Sequence, residues 1–118
     1  MKNLSDIPDS TVKKIAKSMG INNSCKVLIC VEESLDKAGD FRFSDLYNTA
    51  VIYLKKSDDT STLVHELRHL WQLQTLGYET FDTINQMEES LEGYEKNIFE
   101  IDAFAFEAEF MKNMDVLC

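Results

Sequence analysis

The sequence predicts an α+β fold in one domain spanning residues 1–118, and three observations support this. The chain has 118 residues, 44% of them hydrophobic, which is enough apolar surface for one core. Two short apolar stretches rich in β-branched residues, 24–32 and 46–55, are typical of strands. Apolar residues recur at helical spacing in three other stretches, which are 11–19, 60–76 and 97–114. We therefore expect a small sheet packed against helices.

The connecting segments define the order of these elements. Asp9 or Ser10 can cap the first helix, and Gly20 can end it. Residues 33–45 are polar and include a Gly-Asp pair, so we predict a loop between the two strands. A polar turn at 56–59 leads into helix 60–76, with Asp58 or Asp59 as its N-cap. Residues 77–94 have a weak helical spacing and form either a short helix or a connector.

His65, Glu66 and His69 lie in the order His-Glu-x-x-His within predicted helix 60–76, and the sequence contains no other histidine. Residues four apart lie on one side of a helix, so the two imidazoles can bind one metal ion. Zn²⁺ suits this arrangement because it accepts imidazole nitrogen and keeps a coordination position open for water. Glu66 is then the expected general base that deprotonates this water. The alternative is an ordinary histidine pair that binds no metal.

Glu100 is the predicted third metal ligand, because two histidines leave a catalytic zinc one protein ligand short. It lies in a wide apolar arc of predicted helix 97–114, where an unpaired carboxylate is costly. Metal binding would compensate this cost; Glu107 and Asp102 are the alternative ligands. Glu107 lies on nearly the same stripe two turns later. If Glu107 is not a ligand, three roles are open to it: a second buried carboxylate, a partner for the outer ring nitrogen of one histidine, or a charge at the rim of the site.

Residues 47–111 resemble gluzincin-type zinc metallopeptidases, most closely the small ImmA/IrrE-like peptidases of phages and mobile elements. The resemblance rests on His-Glu-Leu-Arg-His at 65–69 and on Phe-Glu-Ile-Asp-Ala-Phe-Ala-Phe at 99–106. It implies a minimal zincin-like domain with His65, His69 and Glu100 as zinc ligands and Glu66 as the catalytic base of peptide-bond hydrolysis. It also implies that Ala103 lets the two helices approach. Phe104 departs from the family pattern, which often has Asn there.

The resemblance further implies a peptide-binding strand and an oxyanion donor. In such enzymes an edge strand just before the metal helix binds an extended peptide, which would here be residues 50–54; an ordinary strand is the alternative. A phenol or imidazole often stabilises the oxyanion of the tetrahedral intermediate. Because both histidines are assigned to the metal, Tyr94 is the candidate donor, ahead of Tyr53, Tyr78 and Arg68.

The formal charge of −9, from 21 acidic and 12 basic residues, disfavours direct binding to nucleic acid. The expected partner is a protein or peptide substrate, with regulatory proteins among the candidates. The charge also supports an alternative function: an acidic, non-catalytic binding or inhibitor protein that mimics nucleic acid and has a structural or vestigial zinc site.

The sequence predicts a cytoplasmic location. Its first residues lack the apolar run of a signal peptide, and no stretch is long enough to span a bilayer. Cys25, Cys30 and Cys118 have neither metal-binding nor disulfide spacing, which fits a reducing compartment.

Overall fold

The computed structural model describes residues 3–4, 6–93 and 97–117, and these residues form the α+β fold that the sequence predicts. Four helices and a four-stranded sheet are present in these ranges. In chain order the elements are β1 (Asn3–Leu4), α1 (Asp9–Ser18), β2 (Lys26–Val31), β3 (Gly39–Ser44), β4 (Thr49–Leu54), α2 (Thr60–Leu76), α3 (Tyr78–Glu92) and α4 (Ile98–Leu117).

The sheet has the strand order β1-β2-β4-β3, so β4 is central and β3 lies at one edge. β4 runs parallel to β2 and antiparallel to β3, with Ile52 opposite both Ile29 and Phe41. Alternate residues of β4, Ala50, Ile52 and Leu54, are fully buried. This two-residue period directs one face of the central strand into the core beneath the helices.

The prediction of a loop at 33–45 is wrong, because β3 occupies Gly39–Ser44. Phe41 and Phe43 alternate with Asp40 and Arg42, which is the two-residue period of a strand with one buried face. The Gly-Asp pair at the start of the strand hides this period in the sequence. The following strand begins at Thr49 rather than at 46, because the chain turns at Asn48, whose φ is 48°.

The predicted peptide-binding strand at 50–54 is also wrong as an edge strand. These residues belong to β4, which pairs with β2 on one side and β3 on the other. Its backbone donors and acceptors are therefore used within the sheet, and no extended peptide can add to it. The free edge near the helices belongs to β3.

Helix α2 packs its apolar side against the sheet and α1. Leu63, Val64, Leu67 and Leu70 are fully buried in a cluster with the alternate residues of β4. Asp59 caps the helix, as predicted, by accepting a hydrogen bond of 3.0 Å from the N–H of Thr62. The predicted cap of α1 is wrong, because this helix begins at Asp9 after Pro8 and has no side-chain cap.

Helices α3 and α4 both pack against α2. Of the two possibilities for 77–94, the helix is observed: α3 follows α2 after a turn at Gly77, whose φ is 88°. Asn97 is buried and caps α4, with its Oδ1 accepting from the N–H of Phe99 at 2.8 Å. Its Nδ2 donates to Oδ1 of Asn85 in α3, also at 2.8 Å. This fixes the first turn of α4 against α3.

Among the described helices, none combines the length and the apolar character that crossing a membrane requires.

Candidate metal centre

Three predicted residues, His65, His69 and Glu100, meet between α2 and the first turn of α4. Glu100 Oε1 lies 2.9 Å from His65 Nε2, and Glu100 Oε2 lies 3.0 Å from His69 Nε2. The possible ligand atoms of the three residues all lie within 4.8 Å of one another. The residues are 4%, 5% and 9% exposed, respectively. This buried group can hold a metal ion.

Helix geometry accounts for the meeting of these side chains. The two imidazoles project from successive turns of α2, and their ring centroids are 5.1 Å apart. Glu100 reaches them from α4, where Ala103, one turn later, is fully buried. Asn97 caps α4 three residues before Glu100, and the positive end of the helix dipole there favours an ionised carboxylate.

The outer ring nitrogen of each histidine has its own acceptor. Nδ1 of His65 lies 3.0 Å from Oε1 of Glu107, whose other oxygen accepts a short hydrogen bond from the hydroxyl of Ser61. Nδ1 of His69 lies 2.8 Å from Oε1 of Gln72. The orientation of the Gln72 amide follows from its other contacts, because its Nε2 donates to the carbonyl oxygen of Phe99 at 3.0 Å and to Asp102 Oδ2 at 2.8 Å. Both Nδ1 atoms are therefore assigned as N–H donors.

With these tautomers, the group formed by His65, His69 and Glu100 fits a cation. With Nδ1 protonated, a neutral imidazole presents a lone pair on Nε2, and both Nε2 atoms face carboxylate oxygens of Glu100 that also carry only lone pairs. Such contacts at 2.9–3.0 Å are repulsive unless a positive charge lies between them. Additional protons on the imidazoles or one metal ion satisfy this requirement. Two imidazole nitrogens and one carboxylate form a donor set of the kind found in catalytic zinc sites.

The pKa values of Glu100 and His69 also indicate that positive charge is stabilised in this cluster. Burial raises the pKa of Glu100, but hydrogen bonds with the two imidazoles and their charge outweigh burial and hold this pKa well below its usual range. Burial lowers the pKa of His69, but the hydrogen bond with Glu100 and its negative charge raise it above the usual value. Ionised Glu100 therefore stabilises a cation beside it.

Glu66 lies next to this group without being part of it. It is 6% exposed, and burial raises the pKa of its carboxyl group to about 7, although the charges of His69 and His65 oppose this shift. Its carboxylate lines the same cleft as His69 and Glu100. A proton acceptor is thus available beside the candidate metal-binding group.

The cleft lies between β3 and α3 and has a volume of about 390 Å³. The wall from β3 includes Gly39, Phe41 and Phe43, and the wall from α3 includes Tyr78, Phe81 and Asn85. Gly39 permits a close approach of β3 to α2, since a Cβ atom there would lie 2.5 Å from Cγ2 of Thr62.

The free edge of β3 presents backbone groups along this cleft. The N–H of Lys55 donates to the carbonyl oxygen of Ala38 at 2.9 Å, which makes these two residues a hydrogen-bonded pair of the antiparallel ladder. By alternation, Gly39, Phe41 and Phe43 direct their N–H and C=O groups away from β4. In the part of the chain that the structure describes, no strand pairs with this edge.

Three further candidate residues come from the sequence, namely Glu107, Asp102 and Tyr94. Of the three interpretations of Glu107, contact with the outer ring nitrogen of a histidine is the one observed. Asp102 is not in the candidate metal-binding group; it pairs with Arg68 at 2.8 Å, and this hydrogen bond lowers the pKa of Asp102. Tyr94, the candidate oxyanion donor, lies outside the described residues.

Sequence reasoning missed Gln72 and Ser61. Gln72 follows His69 by three residues and Ser61 precedes His65 by four, so helical spacing places each on the side of its histidine. That spacing is the signal that could have identified them.

Comparison of the chain with protein-family models, with curated proteins and with solved structures found no match. The function must therefore be inferred from the geometry and chemistry of the site.

Proposed function

We propose that this protein is a zinc-dependent peptidase that hydrolyses a peptide bond in a protein or peptide partner. The observation that carries this proposal is the convergence of His65, His69 and Glu100 at one buried point, with Glu66 in the same cleft. The resemblance to gluzincin-type peptidases at 65–69 and 99–106 supports the same function, and we propose a cytoplasmic setting for it. The three candidate ligands come from two helices that pack directly on each other.

Zinc is the metal that this donor set favours. Imidazole nitrogens suit zinc better than they suit magnesium or calcium, which prefer oxygen ligands. Three protein ligands also leave one position for a reacting molecule, as in catalytic zinc sites. Bound zinc would supply Lewis-acid chemistry that activates water and polarises a peptide carbonyl.

The protein's own residues would move the proton and orient the ligands. Glu66 accepts a proton from the attacking water as the new C–O bond forms, and then donates it to the amine nitrogen as the C–N bond breaks. Glu107 and Gln72 accept hydrogen bonds from the outer nitrogens of the histidines and so hold their inner nitrogens towards the metal.

The outer edge of β3, with which no strand of the described residues pairs, is the proposed binding surface for the substrate. An extended peptide can add to this edge through the backbone groups of Gly39, Phe41 and Phe43. This places the peptide in the cleft that Glu66, His69 and Glu100 also line. In this proposal β3 takes the role that the resemblance implies for residues 50–54.

The test separates metal binding from hydrolysis. The variant Glu66→Gln should bind one equivalent of zinc but lose hydrolysis by a factor of about 10³ or more, since general base catalysis alone contributes about 10²–10⁴. His65→Ala should lose both zinc and activity. Metal analysis and mass spectrometry of a peptide library after incubation provide the two measurements. Glu79→Gln, an exposed change on α3, is the matched control. Equal cleavage by Glu66→Gln and the parent would refute the catalytic assignment.

A second candidate is the acidic binding or inhibitor protein, and α3 is the feature that favours it. This helix contains five acidic residues and no basic one: Glu79, Asp82, Glu88, Glu89 and Glu92. A helix with this excess of carboxylates can attract a basic partner. Cleavage that a chelator abolishes supports the peptidase, whereas stoichiometric inhibition of a basic DNA-binding protein without cleavage supports the binder.

A further inference from the structure

A chain of hydrogen bonds leads from Arg68 to His69 on the side away from the candidate metal position. Arg68 donates to Asp102 through Nε at 2.8 Å and through Nη2 at 3.2 Å. Asp102 Oδ2 accepts from Nε2 of Gln72 at 2.8 Å, and Oε1 of Gln72 accepts from Nδ1 of His69 at 2.8 Å. Every contact in this chain joins a donor to an acceptor.

The outer members of this chain are themselves held in place. The guanidinium carbon of Arg68 lies 3.8 Å from the centroid of the Trp71 ring and 4.3 Å from that of Phe106. This stacking and the paired hydrogen bonds restrict where Asp102 can lie. The carbonyl oxygen of Phe99 provides a second acceptor for the amide of Gln72. Gln72 is 4% exposed, so water does not readily replace these partners.

We propose that Gln72 is a positioning residue of the metal centre. Its amide, oriented by Asp102 and the Phe99 carbonyl, fixes the ring and the tautomer of His69 so that Nε2 presents a lone pair to the metal. The proposal rests on the metal-binding part of the proposed function and does not require hydrolysis.

An amide is needed here because the position must donate and accept at once. In Gln72→Met the side chain keeps its length but loses the acceptor for His69 Nδ1. In Gln72→Glu an acceptor remains, but a second carboxylate faces Asp102 and the Phe99 carbonyl with no proton to donate. The combination of Gln72→Glu with Asp102→Asn restores a donor towards the new carboxylate. Nη2 of Arg68 can then still donate to the amide oxygen at position 102, whereas Nε of Arg68 loses its acceptor, because Nε and Gln72 share Oδ2 of Asp102 in the parent.

The first experiment measures affinity for zinc alone and for cobalt alone, by competition with a chromophoric chelator. Gln72→Met should weaken binding about 10–100-fold, the usual effect of losing a hydrogen-bond partner of a metal-binding histidine. Gln72→Glu should also weaken it, and adding Asp102→Asn should recover part of that loss. The control is Gln74→Met on the same helix, because Gln74 bonds to the backbone of Asn22, away from the site. This control should bind metal as the parent does.

The second experiment reads the tautomer of His69 directly. Because the protein has two histidines, ¹⁵N-histidine NMR gives one set of ring signals for each. In the zinc-loaded parent both rings should show a protonated Nδ1 and a metal-bound Nε2. In Gln72→Met the His69 signals should shift or exchange while those of His65 remain, and a purely structural role of Gln72 would not produce this selectivity.

The possible outcomes separate the positioning role of Gln72 from the existence of the metal centre itself. If the parent binds no zinc, the metal centre is refuted and the role of Gln72 with it. If the parent binds zinc and Gln72→Met binds it equally tightly with unchanged His69 signals, only the role of Gln72 is refuted. If Gln72→Met does not fold, the comparison of Gln72→Glu with the Gln72→Glu/Asp102→Asn double variant decides. Equal affinity of these two variants would overturn the proposal.

Discussion

Glu66 occupies a position that is unfavourable for a carboxylate unless a cation lies nearby. Burial raises the pKa of this group from 4.5 to about 7, even though the neighbouring imidazoles attract its charge. In the metal-free protein the folded state therefore binds more protons at Glu66 than the unfolded state does between these two pH values. The contribution of Glu66 to the free energy of unfolding accordingly falls as the pH rises from 4.5 to 7.

Glu66→Gln should therefore stabilise the metal-free protein at alkaline pH. Relative to the parent, we expect a gain of up to about 3 kcal/mol in the free energy of unfolding near pH 8, and little gain near pH 5. Urea denaturation of both proteins with a chelator present, at the two pH values, measures this difference. Glu79→Gln, an exposed change on α3, is the matched control. A gain that is equal at both pH values would contradict the assignment of the shift to Glu66.

Single site residues could be predicted only where the sequence shows a motif or an unfavourable position. His65, Glu66 and His69 have a motif, and Glu100 has an unfavourable position on an apolar arc; the structure brings these four residues together. Gln72 has only its spacing of three residues from His69, which is a weak signal because a neutral amide is common on helices. The contact between Glu107 and His65 depends on how α4 packs across α2, so the sequence could list it only as one of three possibilities.

At the scale of elements, hydrophobicity predicts two strands of the sheet but not β3, the strand that we propose binds the substrate. β2 and β4 are nearly continuous apolar runs, which makes them easy to find in the sequence, although only one face of β4 is fully buried. β3 alternates between aromatic and charged residues because it is an edge strand with one face against the helices. The cleft could not be predicted, because it forms between β3 and α3, and the sequence predicts a loop for the first segment and either a short helix or a connector for the second.

Gly39 sets the distance between β3 and α2, and Gly39→Ala should increase it. The added Cβ would lie 2.5 Å from Cγ2 of Thr62 and 2.9 Å from the carbonyl oxygen of Tyr53. We expect a loss of about 1–3 kcal/mol in the free energy of unfolding, as for other overpacked sites. Urea denaturation measures it. Adding Thr62→Ser removes the closer methyl contact and should recover part of the loss, with Thr62→Ser alone as the control. A full loss in the double variant would show that the methyl group is not the obstacle.

Asn97 connects α3 to the start of α4, and Asn97→Ala should weaken both this connection and the placement of Glu100. The variant loses the cap on the Phe99 N–H and the hydrogen bond to Asn85. We expect a destabilisation of about 1–3 kcal/mol and a lower zinc affinity. Asn97→Ser keeps a capping oxygen and should lose less. Thermal denaturation and chelator competition measure the two effects; an unchanged zinc affinity in Asn97→Ala would show that the cap does not position Glu100.

At the scale of the whole molecule, the acidic surface and the candidate metal centre both attract cations, and the two effects must be separated. The chain carries a formal charge of −9, so any added cation screens repulsion between surface carboxylates. A specific site differs because it requires two imidazoles and a carboxylate at one point. Zinc should therefore act through His65, His69 and Glu100, whereas magnesium should act mainly by screening.

Zinc should consequently raise the melting temperature of the metal-free protein far more than magnesium does. A ligand that binds only the folded state at 100 times its dissociation constant adds about 2.7 kcal/mol of stability. For a chain of this length that corresponds to a rise of about 10 °C. Differential scanning fluorimetry after chelator treatment, with each metal at the same concentration, measures the shift. The His65→Ala/His69→Ala variant keeps the acidic surface but removes two of the three ligands, so its response to zinc should fall to that of magnesium. If this variant and the parent respond equally, the stabilisation comes from the surface charge, and the buried cluster is held together by protons rather than by a metal.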